Sequence, residues 1–478
     1  MSNAKTPSRR ASRTSGTRGI GRLGGALLLG SLLSATGVVH AQSAAGPVGA
    51  PADGSLTLHG VTLFGIVDVG LQYESHGVPF NEYFAAGSAD IVQKNSNKSQ
   101  FGVTPSNLSQ SRIGLQGLEP LVGDWFGIFK VETYFNPNSG DIADALKSLA
   151  QNNGRALADQ TTNLDSSLAG QIFQQSFLGL SSKTFGAFTF GRQNTLLADG
   201  IAKYDAQGAS QAFSLIGLSG TTAGGGDTED RRVDSSLKYV DRVGPVHFGA
   251  EYKFNSASGN ANTLYQFTVG GEYLGASVDA YYAKAYDAIA AAALSAAQVA
   301  GLPALGLSSA NSLAATVSDN TTFAIMGMYN FGAPKIFAGY EHIQFANPST
   351  PLPAGFDDIG GYKLAFVNNA AFPNDKILQV FWAGVKYTVL SKLDLVGSYY
   401  GYKQNSYGVG ANAGCSSKVA GTCSGTETAV SFSADYRFSK RFDLYGGLMY
   451  TGVSDGLANG YIFNTSIVDP TIGFRFKF

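Results

Sequence analysis

Residues 470–478, PTIGFRFKF, constrain the fold more than any other segment of the chain. Side chains on a β-strand point alternately to opposite faces, so this segment presents apolar groups on one face and charged or small groups on the other. The apolar face comprises Ile472, Phe474, Phe476 and Phe478, and the opposite face comprises Gly473, Arg475 and Lys477. A transmembrane β-barrel needs this alternation, because one face of each strand meets lipid and the other meets water. The segment therefore predicts the closing strand of such a barrel.

The N-terminal segment predicts export. Residues 1–22 carry six basic residues and no acidic one, residues 23–39 are apolar, and Val39-His40-Ala41 precede Gln42. This order is typical of a secretory signal peptide, here residues 1–41, cut after Ala41. The pair Arg9-Arg10 also fits a twin-arginine signal, although the general secretory route is favoured. Either route delivers a mature domain of residues 42–478 to the periplasm.

Charge and hydropathy argue against two other classes of protein. Without the six basic residues of the signal peptide, 27 of 33 remain against 34 acidic residues, so the mature chain is mildly acidic and no nucleic-acid partner is expected. The mean hydropathy is close to zero. The alanine-rich run at residues 288–302 is too short to span a bilayer as a helix, and it predicts a short helix or coil inside a loop.

Segments of about ten residues with alternating polarity recur in pairs along the mature chain, and ten residues is the length that a tilted strand needs to cross a bilayer. Short turns alternate with long connections, such as residues 74–110 and 346–376. These features predict an all-β fold, a single-domain, 16-stranded antiparallel transmembrane β-barrel. The predicted strands are 61–73, 111–117, 125–135, 175–181, 187–192, 232–239, 246–254, 264–273, 277–286, 322–331, 335–345, 377–387, 393–402, 428–438, 441–450 and 467–478.

The alternation also predicts which residues face the lumen. A charged side chain on a membrane strand is tolerated on the side that meets water. On three strands, charged residues therefore share the face assigned to the lumen. They are Arg112 on the second strand, Lys130 and Glu132 on the third, and Arg232, Asp234 and Lys238 on the sixth.

Four fragments resemble one protein family when taken in order. They are LTLHGVTLFGIVDVGLQY, SRIGLQGLEPLVGDWFGIFKVETYFN, SFLGLSSKTFGAFTFGRQN and GFRFKF. The chain resembles the trimeric general porins of Gram-negative bacteria, most closely those of beta-proteobacteria. The resemblance implies an outer-membrane channel for passive diffusion of small hydrophilic solutes and ions, and a homotrimer in contact with outer-membrane lipid and lipopolysaccharide. It also implies that the assembly machinery reads Phe476 and Phe478 as an assembly signal.

Residues 195–231 form the third long connection, which in similar porins folds into the barrel and narrows it. The resemblance assigns Asp227 and Glu229 as acids of this loop and places Arg112 and Arg232 on the facing wall. Asp68 and Glu132 would add to the lumenal charge. Arg192, in GRQ, shares its strand face with Phe188 and Phe190 and lies at the strand end. Phe177 replaces a wall arginine of some relatives, so the arginine ladder is incomplete.

Enzymatic activity is not expected. The chain has five histidines, one of them in the signal peptide, and it shows neither a nucleophile elbow nor a metal-ligand spacing. No cofactor or metal is therefore predicted. Cys415 and Cys423 are the only cysteines, and in an exported protein a disulfide between them is favoured over two free thiols.

Two alternatives share the same barrel. The first is a substrate-selective channel for a sugar or an organic anion. The second is a structural or adhesive barrel plugged by its long loops, of which residues 136–170 and 287–320 lengthen the chain relative to a compact porin.

Overall fold

The computed structural model describes residues 56–84, 98–161, 172–216, 231–254, 263–416, 420–458 and 465–478. The predicted signal peptide, Asp227 and Glu229 lie outside these residues. Sixteen wall strands are present in the described part of the chain. They are β1 (Val61–Glu74), β2 (in two parts, Gln100–Pro105 and Arg112–Pro120), β3 (Trp125–Tyr134), β4 (Phe173–Ser182), β5 (Gly186–Asn194), β6 (Arg232–Val243), β7 (Val246–Lys253), β8 (Leu264–Tyr273), β9 (Ala276–Ala292), β10 (Ser312–Asn330), β11 (Pro334–Ala346), β12 (Lys376–Val389), β13 (Leu393–Gln404), β14 (Gly425–Arg437), β15 (Phe442–Asp455) and β16 (in two parts, Ser466–Val468 and Thr471–Lys477).

The strands close into a barrel. Each strand pairs antiparallel with the next along the chain, and β16 returns to pair with β1 from Ile66↔Lys477 to Gln72↔Thr471. Closure leaves no wall strand with an unpaired edge in lipid, where unsatisfied backbone groups are costly. The predicted 16-stranded antiparallel barrel is confirmed.

The faces of the strands follow the predicted alternation. On β16, Ile472 and Phe474 are each 52% exposed, whereas Arg475, between Phe474 and Phe476, is 1% exposed. On β2, Ile113 and Leu115 face outward in the same way. An apolar outer surface and a charged inner surface are what a membrane barrel with a wet interior requires.

Seven short turns lie at one end of the barrel and eight connections, L1 to L8, at the other. Two of these connections differ from the prediction. L1 is shorter than residues 74–110, because the first part of β2 lies within that range. L5 is shorter than residues 287–320, because β9 and β10 are 17 and 19 residues long and continue well beyond the length that crosses a bilayer.

In the described residues, three α-helices and several short elements lie in the connections or before β1. No helix in the described residues is both long and apolar enough to cross a bilayer. The helices are α1 (Ala145–Gln151) in L2, α2 (Leu196–Tyr204) in L3 and α3 (Ala296–Gly301) in L5, and the short strands are Leu56–Leu58, Phe356–Ile359, Tyr362–Asn368, Cys415–Ser416 and Ala420–Gly421. The 3-10 turns are Leu157–Asp159, Leu302–Leu305, Gly410–Asn412 and Gly456–Ala458. L7 carries the disulfide between Cys415 and Cys423, as predicted.

Candidate channel constriction

L3 lies inside the barrel, and its helix is anchored at the N-terminus. Thr195 caps α2 through a hydrogen bond from Ala198 N. Two side chains of the wall satisfy the neighbouring amides: Glu251 accepts from Leu196 N at 2.9 Å, and Gln266 accepts from Leu197 N at 2.9 Å. The first amides of a helix have no partner within the helix, and a carboxylate there also complements the helix dipole. The wall strands β7 and β8 thus hold the start of α2.

The end of α2 and the residues that follow it are held by strands further around the barrel. Trp382 Nε1 on β12 donates to the Tyr204 carbonyl at 2.9 Å, and Tyr400 OH on β13 donates to Asp205 at 2.7 Å. Gln207 bonds to two serines of β14, one of them Ser431 at 3.1 Å. Burial raises the pKa of Asp205, with hydrogen bonds from Ser214 and Tyr400 opposing that shift.

Apolar contacts fill the space between L3 and the wall from β10 to β15. The lumenal faces of these strands carry large apolar side chains, which is unusual for the wet side of a barrel. They pack with the apolar residues of L3 in one buried cluster, so L3 is stabilised by the hydrophobic effect as well as by hydrogen bonds. The cluster includes Leu197, Ile201, Tyr204, Leu215 and Ile216 of L3 and Met326, Ile343, Leu378, Val380, Trp382, Tyr402 and Met449 of the wall.

Six residues interrupt β2 and fold into the barrel. Residues 106–111, SNLSQS, join the two parts of β2 and are all buried; we call them the wall insert. Ser106 begins the insert with a left-handed φ of 58°. Asp68 of β1 holds its backbone, because the Asp68 carboxylate accepts hydrogen bonds from Leu108 N at 3.1 Å and Ser109 N at 2.7 Å. The sequence analysis assigned residues 106–110 to an outer loop and residue 111 to the start of the second strand.

Asp68 also ties the wall insert to the last strands of the barrel. Tyr445 of β15 donates a short hydrogen bond to the Asp68 carboxylate. Arg475 of β16 donates to Ser109 Oγ at 2.8 Å and forms an ion pair with Asp443. A buried carboxylate is costly unless it is hydrogen-bonded, and these contacts satisfy it.

Ala212 and Phe213 of L3, which we call the L3 tip, rest on the wall insert. Ala212 N donates to the Asn107 carbonyl at 2.8 Å. Leu108, Ala212, Phe213 and Tyr445 form a buried apolar cluster, in which the Phe213 and Tyr445 rings meet edge to face. The described residues of L3 therefore follow the wall from β6 to β15 and reach the insert beside β1, which leaves the strands from β2 to β5 as the wall opposite.

A cluster of cations lies on that opposite wall, around Glu132. Glu132 Oε2 lies 3.2 Å from Lys130 Nζ and 3.5 Å from Arg112 Nε, and Gln175 Nε2 donates to Glu132 Oε1 at 3.1 Å. The Glu132 side chain is 1% exposed. One carboxylate thus holds two cations.

Arg232 adds a third cation through Tyr134. Its Nη2 donates to Tyr134 OH at 2.6 Å, and its guanidinium carbon lies 4.7 Å from the centre of the Tyr134 ring. The Nε and Nη1 of Arg232 have no hydrogen-bond partner in the described part of the chain. We call Arg112, Lys130 and Arg232, with Glu132, the basic cluster; its formal charge is positive.

The structure separates the other predicted site residues from the basic cluster. Asp68 lies in the contacts of the wall insert. Arg192 forms an ion pair with Asp234, with Nη1 2.6 Å from Oδ1. Their roles in selectivity stay predictions, as do those of the basic cluster, of Asp227 and Glu229, and of Phe476 and Phe478 in assembly.

The strict alternation predicted for β6 is wrong at its outer end. The register between β5 and β6 shifts between Gly191 and Gln193, and Ser235 adopts a left-handed φ of 50°. As a result Val233, which the alternation placed opposite the lumenal residues, pairs with the buried Gln193. An extra residue in a strand reverses the faces of the residues beyond it.

A cavity of about 570 Å³ separates part of α2 from the strands β4 to β9. Lys203 of α2 crosses its margin to Glu272 at 3.2 Å and to Asp279 at 3.4 Å. His247 forms a short contact with the same Asp279. Charged side chains of α2 and of the wall therefore lie around this space.

A closed antiparallel barrel with an apolar exterior, charges inside and a loop folded into the lumen defines the class of transmembrane β-barrel channels. The chain belongs to the family of Gram-negative porins, because the model of that family matches residues 26–456. Family membership and the lipid-facing exterior place the chain in the outer membrane.

Individual relatives are more distant. The chain is 27% identical over 205 residues to an outer membrane porin protein of Bordetella pertussis, and this match covers 43% of the chain and 45% of that protein, less than half of each. The fold is similar to that of an anion-selective porin from Comamonas acidovorans, with a TM-score of 0.54, 18% identity, and coverage of 87% of this chain and 99% of that one. OmpT of Vibrio cholerae is similar at a TM-score of 0.54, with 16% identity and coverage of 89% and 100%. At these identities the two structures support the fold alone.

Proposed function

We propose that the chain forms a water-filled channel through which small hydrophilic solutes and ions diffuse passively. The observation that carries this proposal is L3 inside the barrel, opposite the basic cluster. A narrowing of this kind limits solute size, and its charges set which solutes pass easily. Channel formation needs no bond-making or bond-breaking step, and a channel rather than an enzyme is what the family indicates.

The basic cluster is built to meet solutes rather than only to stabilise the wall. Glu132 neutralises one of three cations, so the wall carries an excess of positive charge. Arg232 is 2% exposed, and its Nε and Nη1 have no hydrogen-bond partner in the described part of the chain. Lys130, whose side chain is 19% exposed, and Arg112, at 10%, are the cations of the cluster that can contact water or a passing anion. If Asp227 and Glu229 face this wall, the opposed charges create a transverse field that favours polar solutes over apolar ones.

The proposed assembly is a homotrimer. A trimer form of Vibrio cholerae OmpT is among the similar structures, with a TM-score of 0.51, 15% identity, and coverage of 87% of this chain and 99% of that one. Contacts with lipopolysaccharide and with the assembly machinery are part of the same proposal.

Conductance in planar bilayers tests the proposal. The refolded mature chain is expected to open in discrete steps, in threes if it is a trimer, with a linear dependence of current on salt concentration. In a salt gradient, the Arg112→Gln/Arg232→Gln variant should shift the reversal potential toward cation preference, whereas Asp227→Asn/Glu229→Gln should shift it toward anion preference. Lys392→Gln, in the exposed turn between β12 and β13, is the matched control. A folded barrel that never conducts would refute the channel, and unchanged potentials in both variants would refute the assigned constriction.

Two alternatives have support from specific observations. The three cations favour a channel selective for an organic anion, which would show saturable block of the current by one such solute. The packing of the outer loops on one another favours a plugged or adhesive barrel, which would show no conductance.

A further inference from the structure

The outer loops L2, L5 and L6 share an apolar core of their own, separate from the wall. Residues of α1 in L2 pack against the extended ends of β9 and β10 and against the hairpin of L6. Burying side chains of this size in a contact between loops stabilises one fixed arrangement. The core comprises Leu146, Leu149 and Ala150 of L2, Ala291, Leu313, Ala315 and Val317 of the β9–β10 hairpin, and Leu352, Ile359, Tyr362 and Leu364 of L6. We call this assembly of loops the cap.

Asn153 and Gly154 join L2 to L5 by four hydrogen bonds to the L5 backbone, three from the Asn153 side chain and one from Gly154 N. Asn153 Oδ1 accepts from Leu294 N at 2.6 Å, and Asn153 Nδ2 donates to the carbonyls of Ser309 and Ser312, each at 2.7 Å. Gly154 N donates to the Leu294 carbonyl at 2.8 Å. These bonds fix the orientation of L2 on L5, which apolar packing alone does not.

Two further contacts fit L2 to its partners. Gly154 adopts a φ of 73°, and a Cβ atom there would lie 3.3 Å from Val299 of α3, so glycine suits both the backbone and the close approach. Tyr362 OH of L6 donates to Asp144 at 3.1 Å, and Asp144 also caps α1.

The L6 hairpin is attached to β10 by a parallel ladder. Ser312 pairs with Lys363 and Leu313 with Leu364, and the pairing continues to Thr316↔Asn368. Along β10, this ladder covers residues 312–316, and the pairing with β11 begins three residues later, at Asp319↔Ala346. The cap is therefore continuous with the wall through backbone hydrogen bonds.

The roots of these loops lie far apart on the barrel. L2 connects β3 to β4 and L5 connects β9 to β10, so they are six strands apart on a circle of sixteen. A barrel of that size, with strands about 4.8 Å apart and tilted about 40°, is about 30 Å across. Loops rooted on nearly opposite sides touch only if they extend across the opening between them.

We propose that the cap bridges the outer mouth of the channel and acts as a size filter in series with L3. Solutes then enter from outside through the gaps beside the cap, and the outer mouth has a smaller size limit than the periplasmic mouth. This inference rests on the proposed channel function.

Exclusion of polyethylene glycols of graded size tests the proposal. The polymers are added separately to each side of a bilayer that holds a single oriented channel, and the smallest polymer that no longer lowers the conductance gives the size limit of that mouth. The wild type is expected to have a lower limit on the outer side. Asn153→Ala/Leu149→Ser should abolish this difference by raising the outer limit, and it should leave the periplasmic limit unchanged.

The control variant is Asn138→Ala, in the same loop. Asn138 Nδ2 donates to the Val103 carbonyl of β2 at 2.9 Å, so this substitution alters L2 without releasing it from L5. Equal limits on the two sides of the wild type would overturn the proposal, as would an unchanged outer limit in the double variant with a folded barrel. Conductance in the double variant but not in the wild type would support a cap over the mouth. No conductance in either protein would refute the channel function itself, and the proposed size filter would fall with it.

Discussion

L3 and the cap both lie across the barrel, but different forces hold them. L3 is held by wall side chains that bond to its backbone, Glu251, Gln266 and Trp382 among them, and by an apolar wall that faces it. The cap is held by loops that pack on each other, with Asn153 as its main polar link. The wall thus fixes the inner narrowing, whereas the outer one depends on its own core. Substitutions in the cap core can therefore leave L3 in place, and substitutions around L3 can leave the cap in place.

The largest expected effect comes from Trp382→Ala, which attacks the inner narrowing. Trp382 is 3% exposed, packs in the L3 cluster and bonds to the Tyr204 carbonyl. Loss of a buried aromatic side chain costs about 3–5 kcal/mol, here from the docking of L3. Single-channel recordings should show a larger and noisier conductance, with the outer polymer limit kept by the cap.

Trp125→Ala is the control for that variant. Trp125 lies at the turn end of β3 and stacks on Phe185, with ring centres 5.8 Å apart. Its loss should leave the conductance unchanged. If both tryptophan variants conduct like the wild type, the wall does not hold L3 as described.

Asp68→Asn should have a smaller effect on the same element. The substitution removes the carboxylate that accepts bonds from Leu108, Ser109 and Tyr445, and it leaves Arg475 with one carboxylate fewer beside it. A buried donor left without its partner costs about 1–3 kcal/mol. We expect brief excursions to higher conductance from movement of the L3 tip. Steady currents identical to those of the wild type would contradict a role for the wall insert.

The pH dependence of these excursions gives a finer test. Burial raises the pKa of Asp205, so the docked state of L3 binds a proton more tightly than a released one. Docking is then most stable at low pH and loses stability as the pH rises above the ordinary carboxyl range, near 4. Noise of the open channel should fall on acidification in the wild type and should depend less on pH in Asp205→Asn. Noise that grows on acidification would show the opposite sign.

The smallest effect is expected from Cys415→Ser/Cys423→Ser. The disulfide closes a ring within L7, and cross-links of this size stabilise the loop by roughly 2–3 kcal/mol through chain entropy. It lies in neither the cap core nor the L3 cluster. Conductance and both polymer limits should match the wild type, and only proteolysis of L7 should become faster. A change in either polymer limit would show that L7 is also part of the cap.

Local pattern predicted most of the wall, although it missed the first part of β2 and the outer extensions of β9 and β10. Alternation placed Arg475 and Glu132 inside and Phe474 outside, because the face of a strand residue depends only on its position in the strand. Alternation failed at Asp234, where the shift between β5 and β6 changes the phase. The covered lumen also left a signal: β12 reads KILQVFWAGVKYTV, with apolar residues on both faces, which is typical of a strand covered on both sides.

The contacts that hold L3 in the barrel could not be predicted from local pattern. The insert at residues 106–111 looks like a polar loop, and nothing near Asp68 in the sequence indicates that its partner is Tyr445. The basic cluster was predicted as single lumenal charges on three strands, but its shared carboxylate and the stacking of Arg232 on Tyr134 depend on distances between strands. Such contacts follow from tertiary structure rather than from local periodicity.

The bond between Asp68 and Tyr445 joins residues 377 positions apart. Contacts of such long range form late, because the chain between the partners must first be ordered. The contacts that hold the L3 tip are therefore complete only when the barrel closes, with β16 paired to β1 and β15 paired to β16, after most of the wall exists. Folding order thus becomes part of the permeability barrier: a barrel caught before this step has a wall but not yet its finished filter.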